Sequence, residues 1–545
     1  MTATSAPVEK KSGWLNTVER LGNKVPHPVL MFLYLIIGVI LLSHILYVLG
    51  VSVTEEIAVP VPYDSQLDFY EDTTAPIAGH PSAPYDTQYT IEERTIPIRS
   101  LLTTEGIRFL FTSFVPNFAG FSVVAVVFVA MMGAGVAEEA GLMGAIIRRL
   151  VAVSPRWALS FIIIFVGVLS SVATDAGYLI LIPLGAAAFF SVKRHPLAGI
   201  AAAYGGVSAI FAVNILISPL DAMLTEITNE AIGLAGGQPI TIISNFYFQV
   251  ASTFLMSIVA AVVTDRIVEP RLGAYKPGGE ANAASSDETV DAAAESRGMR
   301  FAAIASVVFI ILIALLTIPA GAPLRDPSTG AIIGATPFMD SLLFIITLLF
   351  LIAGIAYGRG ANTMTTSGEI IKAVTKTFAS LAGLVFMLLM ISQFIAYFNF
   401  SNMPSVIAIA LAGLLEQVRI GALPLLIGFI LVILLLDVII PGSMPKWAIF
   451  APIFVPLFIR LGVAPQTVLA AYRIGDSPMN VITPLMVYLP FIVTVMQRYQ
   501  KDSGIGSVVA LMLPYTLILL IAWLILFILW FVLGIPLGPG YPVGA

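Results

Sequence analysis

Apolar runs of about twenty residues recur along the chain, separated by short stretches that carry most of its charge. Nine of these runs, at 29–49, 115–137, 197–222, 244–264, 301–320, 338–358, 379–398, 467–495 and 507–536, have the length a helix needs to cross a hydrocarbon core roughly 30 Å thick. Two further apolar stretches are interrupted near the middle. Residues 157–191 contain SSVATD and residues 421–459 contain PGSMPKW. A continuous helix through either would leave polar groups in lipid, whereas two half-helices meeting at a protein-covered tip satisfy their backbones. The pattern predicts an all-α integral membrane protein with nine transmembrane helices and two re-entrant helical hairpins.

The charges between the runs set the orientation. Basic residues gather at Lys10/Lys11, Arg148/Arg149/Arg156, Lys193/Arg194, Arg266/Arg271/Lys276, Arg359/Lys372/Lys376 and Arg498/Lys501. If neither hairpin crosses, all these clusters fall on one side, and the positive-inside rule makes that side cytoplasmic. The N-terminus is then cytoplasmic and the C-terminus outside. The chain divides into a cytoplasmic segment 1–28, a first membrane half 29–264 with hairpin 157–191 and external loop 51–113, a cytoplasmic linker 265–300, and a second membrane half 301–545 with hairpin 421–459. Within the linker, 272–298 is rich in Gly, Ala, Ser and Glu and reads as flexible. The N-terminal stretch is too long and polar before its apolar run for a cleavable signal peptide.

The two halves repeat. SSVATDAGYLILIPL (170–184) parallels SMPKWAIFAPIFVPL (443–457), and AAYGGVSAIFAVNILISPLDAML (202–224) parallels AAYRIGDSPMNVITPLMVYL (470–489). The first hairpin enters from the cytoplasm and the second from outside, so the repeat is inverted, a signature of secondary transporters.

Composition closes off other classes. Hydrophobic residues make up 58% of the chain and charged ones 11%, against about 25% charged in soluble domains. There is no cysteine, and the four histidines are scattered, which leaves no thiolate or histidine metal site. No basic patch suggests nucleic acid, and no Walker sequence suggests ATP coupling. No cofactor is expected beyond a coupling ion.

Against this background the charges inside apolar segments stand out: Asp175, Asp221, Asp437, Asp476 and Arg473. Each costs roughly 2.5–3.5 kcal/mol at a helix centre on insertion scales, and such residues mark ion or substrate routes. Half-helix N-termini at the hairpin tips suit anionic groups. Hydroxyls and unwound carbonyls at Ser170, Thr174 and Ser443 suit a small cation, or cap the half-helices. Gly475, Pro478 and Pro484 break the span 467–495, as Gly205, Gly206 and Pro219 break its partner, and each break carries an amide, Asn480 or Asn214. Both amides are neutral oxygen donors suited to Na⁺, the only metal the sequence points to. Arg473 and Asp476, at i and i+3, either pair with each other or form a proton relay or carboxylate clamp. Asp221 and Asp437 read as lone carboxylates: proton carriers, cation ligands, or protonated groups hydrogen-bonded within the bundle. Trp447 is either an interfacial anchor or a stacking surface for an aromatic solute.

Together, YRIGDSPMNVITPLM (472–486), PKWAIFAPIFVPL (445–457), SNMPSVIA (401–408), TDAGYLILIPL (174–184), VNILISPLDAML (213–224) and GVAEEAGL (135–142) resemble the AbgT family of p-aminobenzoyl-glutamate transporters and antimetabolite exporters. The resemblance implies a homodimer in the bacterial inner membrane, with each subunit a cation-driven carrier. Its substrates would be p-aminobenzoyl-glutamate-like folate catabolites, sulfonamide antimetabolites, or both. It implies functional roles for Asp221, Trp447, Pro465, Arg473, Asp476 and Pro484, with Asp437 and Asp476 near a sodium site. Asp175 and Thr174 join them as candidate ligands for Na⁺ or H⁺. This chain departs from the family at DVIIPGSMPKW (437–447): Asp437 stands where the family commonly has Asn, and Met444 where it has Ser. The pattern fits import and export alike. The alternative is a Na⁺-coupled dicarboxylate or short-chain organic-acid carrier, and an intramembrane hydrolase is a more distant one.

Overall fold

A computed structural model describes residues 28–60, 89–171, 177–275, 291–333, 336–418, 421–438, 440, 442–483 and 485–544. In chain order the helices are α1 (Pro28–Val48), α2 (Thr104–Thr112), α3 (Phe114–Ala119), α4 (Ser122–Glu139), α5 (Leu142–Ala152), α6 (Leu159–Ser170), α7 (Ile182–Ser191), α8 (Pro196–Tyr204), α9 (Pro219–Gly233) and α10 (Phe246–Val263). The second half supplies α11 (Ala292–Thr317), α12 (Leu342–Ala361), α13 (Ser367–Ser380), α14 (Ala382–Phe400), α15 (Met403–Val418), α16 (Ala422–Asp437), α17 (Ser443–Arg460), α18 (Pro465–Asp476), α19 (Leu489–Gln497) and α20 (Ile505–Val532). Among the described residues, seven helices are long and apolar enough to cross a membrane.

Two of the expected spans are not continuous helices. In place of 197–222, α8 runs into a wide π-type turn at Gly205–Ala209, the backbone opens, and α9 starts afresh at Pro219 and continues to Gly233. Pro219 suits a first helical position because its missing N–H has no partner there to lose. Ser218 caps the helix and shares a reciprocal capping box with Asp221. In place of 467–495, α18 stops at Asp476 and α19 starts at Leu489. The expected linker also shrinks: α10 is extended by a π-turn and a short helix to Leu272, and α11 starts at Ala292 on an Asp291 cap.

Backbone-to-backbone contact organises the interior. A Cβ on Gly206 would lie 2.4 Å from the Ile164 carbonyl oxygen of α6, and one on Gly475 2.7 Å from the Ile430 carbonyl oxygen of α16. In each half the first arm of the interrupted apolar stretch thus packs directly on that half's broken helix. The second stretch folds back on itself. Phe429 of α16 meets Phe454 and Phe458 of α17, with ring centroids 4.8 and 5.7 Å apart, and the turn between these helices uses Gly442 at φ 99°. A left-handed φ of this kind is cheap for glycine alone.

The expected external loop holds an antiparallel ribbon, β1 (Ser52–Pro60) with β2 (Tyr89–Pro97), in register from Ser52↔Pro97 to Pro60↔Tyr89. Both strands are rich in Val, Ile and Thr, which favour pleated backbone. Asn402 donates its amide to the Pro97 carbonyl (2.9 Å), which ties the ribbon to the turn before α15. The chain end folds back: Gln466 and Thr467, at the start of α18, donate to the carbonyls of Pro542 (2.7 Å) and Val543 (2.6 Å).

Gly475→Ala places a methyl group against the α16 backbone. It is expected to cost about 1–3 kcal/mol through overpacking, read as a lower unfolding temperature of the detergent-purified protein. Gly383→Ala, where a Cβ meets nothing within 4 Å, is expected to cost nothing. Equal losses at the two sites would contradict the packing described.

Candidate functional site

The turn at Gly442 reverses the chain so that Asp437, the last residue of α16, faces Lys446 in the first turn of α17. The Lys446 ammonium is bonded to Asp437 Oδ1 and lies 2.7 Å from Asp476 Oδ1, and all three side chains are completely enclosed. Asp476 receives two further groups. The Ser443 hydroxyl donates to its Oδ2, and the Tyr472 hydroxyl lies 3.2 Å from its Oδ1 while also contacting the Ser443 carbonyl. Asp437 Oδ2 is buried with no hydrogen-bond partner among the described residues. One ammonium therefore serves two carboxylates, leaving a formal surplus of one negative charge.

Arg473, three residues before Asp476, turns to the other broken helix. Its Nη1 lies 2.7 Å from Asp221 Oδ1 and donates to the Ala212 carbonyl at 2.8 Å, while Nε donates to Asn245 Oδ1 at 3.3 Å. Asp221 Oδ2 meanwhile accepts from the Ser218 backbone (2.8 Å) and hydroxyl (2.7 Å). One carboxylate thus caps α9 and neutralises Arg473. The two helix breaks are stitched at this point, since Ala212 N–H donates to Ser477 Oγ (3.1 Å) and that hydroxyl donates to the Arg473 carbonyl (3.0 Å).

These contacts correct two expectations. Arg473 pairs with Asp221 and not with its helical neighbour Asp476, because Asp476 is engaged by Lys446, Ser443 and Tyr472. Asp221 and Asp437 are not lone carboxylates, since each has a buried cation. Lys446 is a site residue that the sequence reading leaves without a role. A lysine at the tip of an apolar hairpin beside aspartates in apolar segments was the available signal. The Ser218–Asp221 spacing, a capping-box pattern, was a second.

Trp447 is fully buried against Tyr472, with ring centroids 4.3 Å apart, and donates its indole N–H to Thr228 Oγ1 at 2.9 Å. It therefore belongs to the same network and fastens α17 to α9. Asn480 donates to the Asp476 carbonyl (2.9 Å), and its own carbonyl accepts from the Tyr204 hydroxyl (3.2 Å). Asn214 and Ser170 lie at the first break instead. Asn214 donates to the Val168 carbonyl (2.9 Å) and to Ser171 Oγ (3.0 Å), and the Ser170 hydroxyl donates to the Gly167 carbonyl (2.6 Å). Pro465 opens α18 at its far end, roughly 16 Å along the helix from Asp476. Thr174, Asp175 and Pro484 lie outside the described residues.

A cavity borders this network. It has a volume of about 620 Å³ and is lined by Ala222, Thr225, Glu226, Asn229, Asp340 and Tyr541, among others. It runs along α9 from Ala222 to Asn229, and the buried Thr225 hydroxyl on its wall has no hydrogen-bond partner among the described residues. Asp221, Arg473, Lys446, Asp437 and Asp476 are not among its lining residues.

Membrane-length apolar helices together with two buried charge networks at broken helices are features of a multi-pass membrane transporter. A family profile described as "AbgT putative transporter family" matches residues 13–544, and the chain belongs to that family. It is 34% identical over 548 aligned positions to the p-aminobenzoyl-glutamate transport protein of Escherichia coli (strain K12), covering 99% of both chains. The crystal structure of the Alcanivorax borkumensis YdaH transporter, described as having an unusual topology, superposes with a TM-score of 0.82 at 36% identity, over 94% of this chain and 100% of that one. Neisseria gonorrhoeae MtrF, described as illuminating a class of antimetabolite efflux pumps, gives the same TM-score of 0.82 and 36% identity, over 97% of this chain and 100% of that one.

Asp221→Asn leaves the Arg473 cation buried without its counter-charge. It is expected to lower stability by about 3–5 kcal/mol, measured by thermal or denaturant unfolding of the purified protein. The double variant Asp221→Leu with Arg473→Met is expected to be less destabilised than Asp221→Asn, because no orphan charge remains. Additive losses would contradict the pairing.

Proposed function

We propose that this chain is a cation-coupled secondary transporter of p-aminobenzoyl-glutamate-like folate catabolites, sulfonamide antimetabolites, or both, driven by H⁺ or Na⁺. It works as a homodimer in a bacterial inner membrane, with nine spans, two re-entrant hairpins, a cytoplasmic N-terminus and an external C-terminus. The observation that carries the reading is the arrangement on α18. Adjacent residues supply a guanidinium, Arg473, and an aromatic wall, Tyr472 packed against Trp447 with the rings tilted by 32°. A guanidinium matches a carboxylate in bidentate geometry, and flat rings hold an aromatic solute. An aromatic amide bearing a carboxylate is complementary to both. The end-to-end similarity to a p-aminobenzoyl-glutamate transport protein and to an antimetabolite efflux pump supports the same substrate class.

In this reading Asp221 holds the Arg473 guanidinium until a substrate carboxylate takes its place. Displacing Asp221 loosens the α9 cap and the hairpin contacts through Trp447 and Thr228, so substrate and cation occupancy bias a shift of the hairpin-bearing part against the remaining helices.

The test is flux of radiolabelled p-aminobenzoyl-glutamate and sulfamethazine into proteoliposomes, with H⁺ and Na⁺ gradients imposed separately. Gradient-driven flux of at least one compound is expected, with a loss of about tenfold or more in Trp447→Ala and in Asp476→Ala. Absence of flux for both compounds under every gradient would contradict the substrate assignment.

A further inference from the structure

The family resemblance puts a sodium ion near Asp437 and Asp476, and the side chains found there do not fit one. The place between the two carboxylates is taken by the Lys446 ammonium, bonded to Asp437 Oδ1 and 2.7 Å from Asp476 Oδ1. The other oxygens are engaged too. Asp476 Oδ2 accepts from Ser443, Tyr472 lies against Asp476 Oδ1, and Thr483 Oγ1, on the following break, donates to the Val438 carbonyl at 3.2 Å. Among the described residues, Asp437 Oδ2 is left without a hydrogen-bond partner. Hard metal cations are held by several oxygens at once, and among the described residues one free oxygen beside a buried ammonium does not make that cage. Among the described residues no group of three or more His, Cys, Asp or Glu side chains is placed to hold a metal ion.

We infer that Lys446 is the resident cation of this site: its ammonium holds the position between Asp437 and Asp476 and excludes Na⁺ from it. The inference rests on the carrier reading above only for its consequence, that Na⁺ bound between these carboxylates does not drive transport. Lys446 then determines ion specificity without touching substrate. Its bridge also ties the hairpin tip to the end of α18, joining three elements (α16, α17 and α18) at one atom. A tethered cation needs no site-filling from solution, so this contact closes at any Na⁺ concentration.

The test is equilibrium binding of radiolabelled Na⁺ to the purified full-length protein, for wild type, Asp476→Asn, Lys446→Met, and Lys446→Met combined with Asp476→Asn. The expected result is no saturable Na⁺ binding to wild type, its appearance in folded Lys446→Met, and its loss again in the double variant. In proteoliposomes, replacing Na⁺ by choline is expected to change wild-type flux by less than about twofold. Saturable Na⁺ binding to wild type that Asp476→Asn removes would overturn the inference, and this comparison stands even where Lys446→Met does not fold. Folded Lys446→Met that binds no Na⁺ would overturn it as well, because the ammonium would not be what excludes the ion. The binding measurement needs no substrate, so a failure of the carrier reading shows as absent flux and is separate from either result.

Discussion

Charge sealed away from water has to be paired, and that constraint decides how the interior of this transporter is assembled. Breaking a buried pair by removing one partner costs about 3–5 kcal/mol, although the intact pair adds little net stability over a well-packed apolar substitute. Arg473, Lys446, Asp221, Asp437 and Asp476 are all at or below 3% side-chain exposure. They come from α9, α16, α17 and α18, and their pairing brings those four helices together. The pairs therefore act less as a source of stability than as a set of latches that specify which elements meet. Latches of this kind can be exchanged for a ligand's charge at small net cost, which is what a carrier moving between two states requires.

Backbone geometry supplies the frame in which the latches close. Gly206 and Gly475 let each broken helix approach the first arm of its own half's interrupted stretch at carbonyl distance. The breaks themselves free groups that the two halves exchange: Ala212 with Arg473 and Ser477, and Tyr204 with the carbonyl of Asn480. Each half completes the other's unwound backbone. Irregular backbone at membrane depth is tolerated only when it is buried in protein in this way.

The apolar runs, the two interruptions and the glycine and proline breaks were legible because they are local properties of the chain. So was the presence of costly carboxylates. Their partners were not. Sequence spacing offered Asp476 as the neighbour of Arg473, but the partner is Asp221 from the other half, a contact set by tertiary packing that no local pattern encodes. Lys446 was passed over because Trp447 beside it drew the chemical reading. The end of the first broken span was placed at 222 because the apolar run weakens there. The helix in fact continues to Gly233 through Thr225, Glu226 and Asn229, which line the cavity and have no need to be apolar. The ribbon Ser52–Pro60 with Tyr89–Pro97 was missed for a related reason. Its two strands are far apart in sequence, and neither carries a turn signal that would join them.

The most direct test of the account is a structure of the protein with p-aminobenzoyl-glutamate bound. The account predicts a substrate carboxylate on the Arg473 guanidinium, Asp221 released from it, and the aromatic ring against Trp447 or Tyr472. A ligand held elsewhere, with the Arg473–Asp221 pair intact and Trp447 still bonded to Thr228, would contradict it.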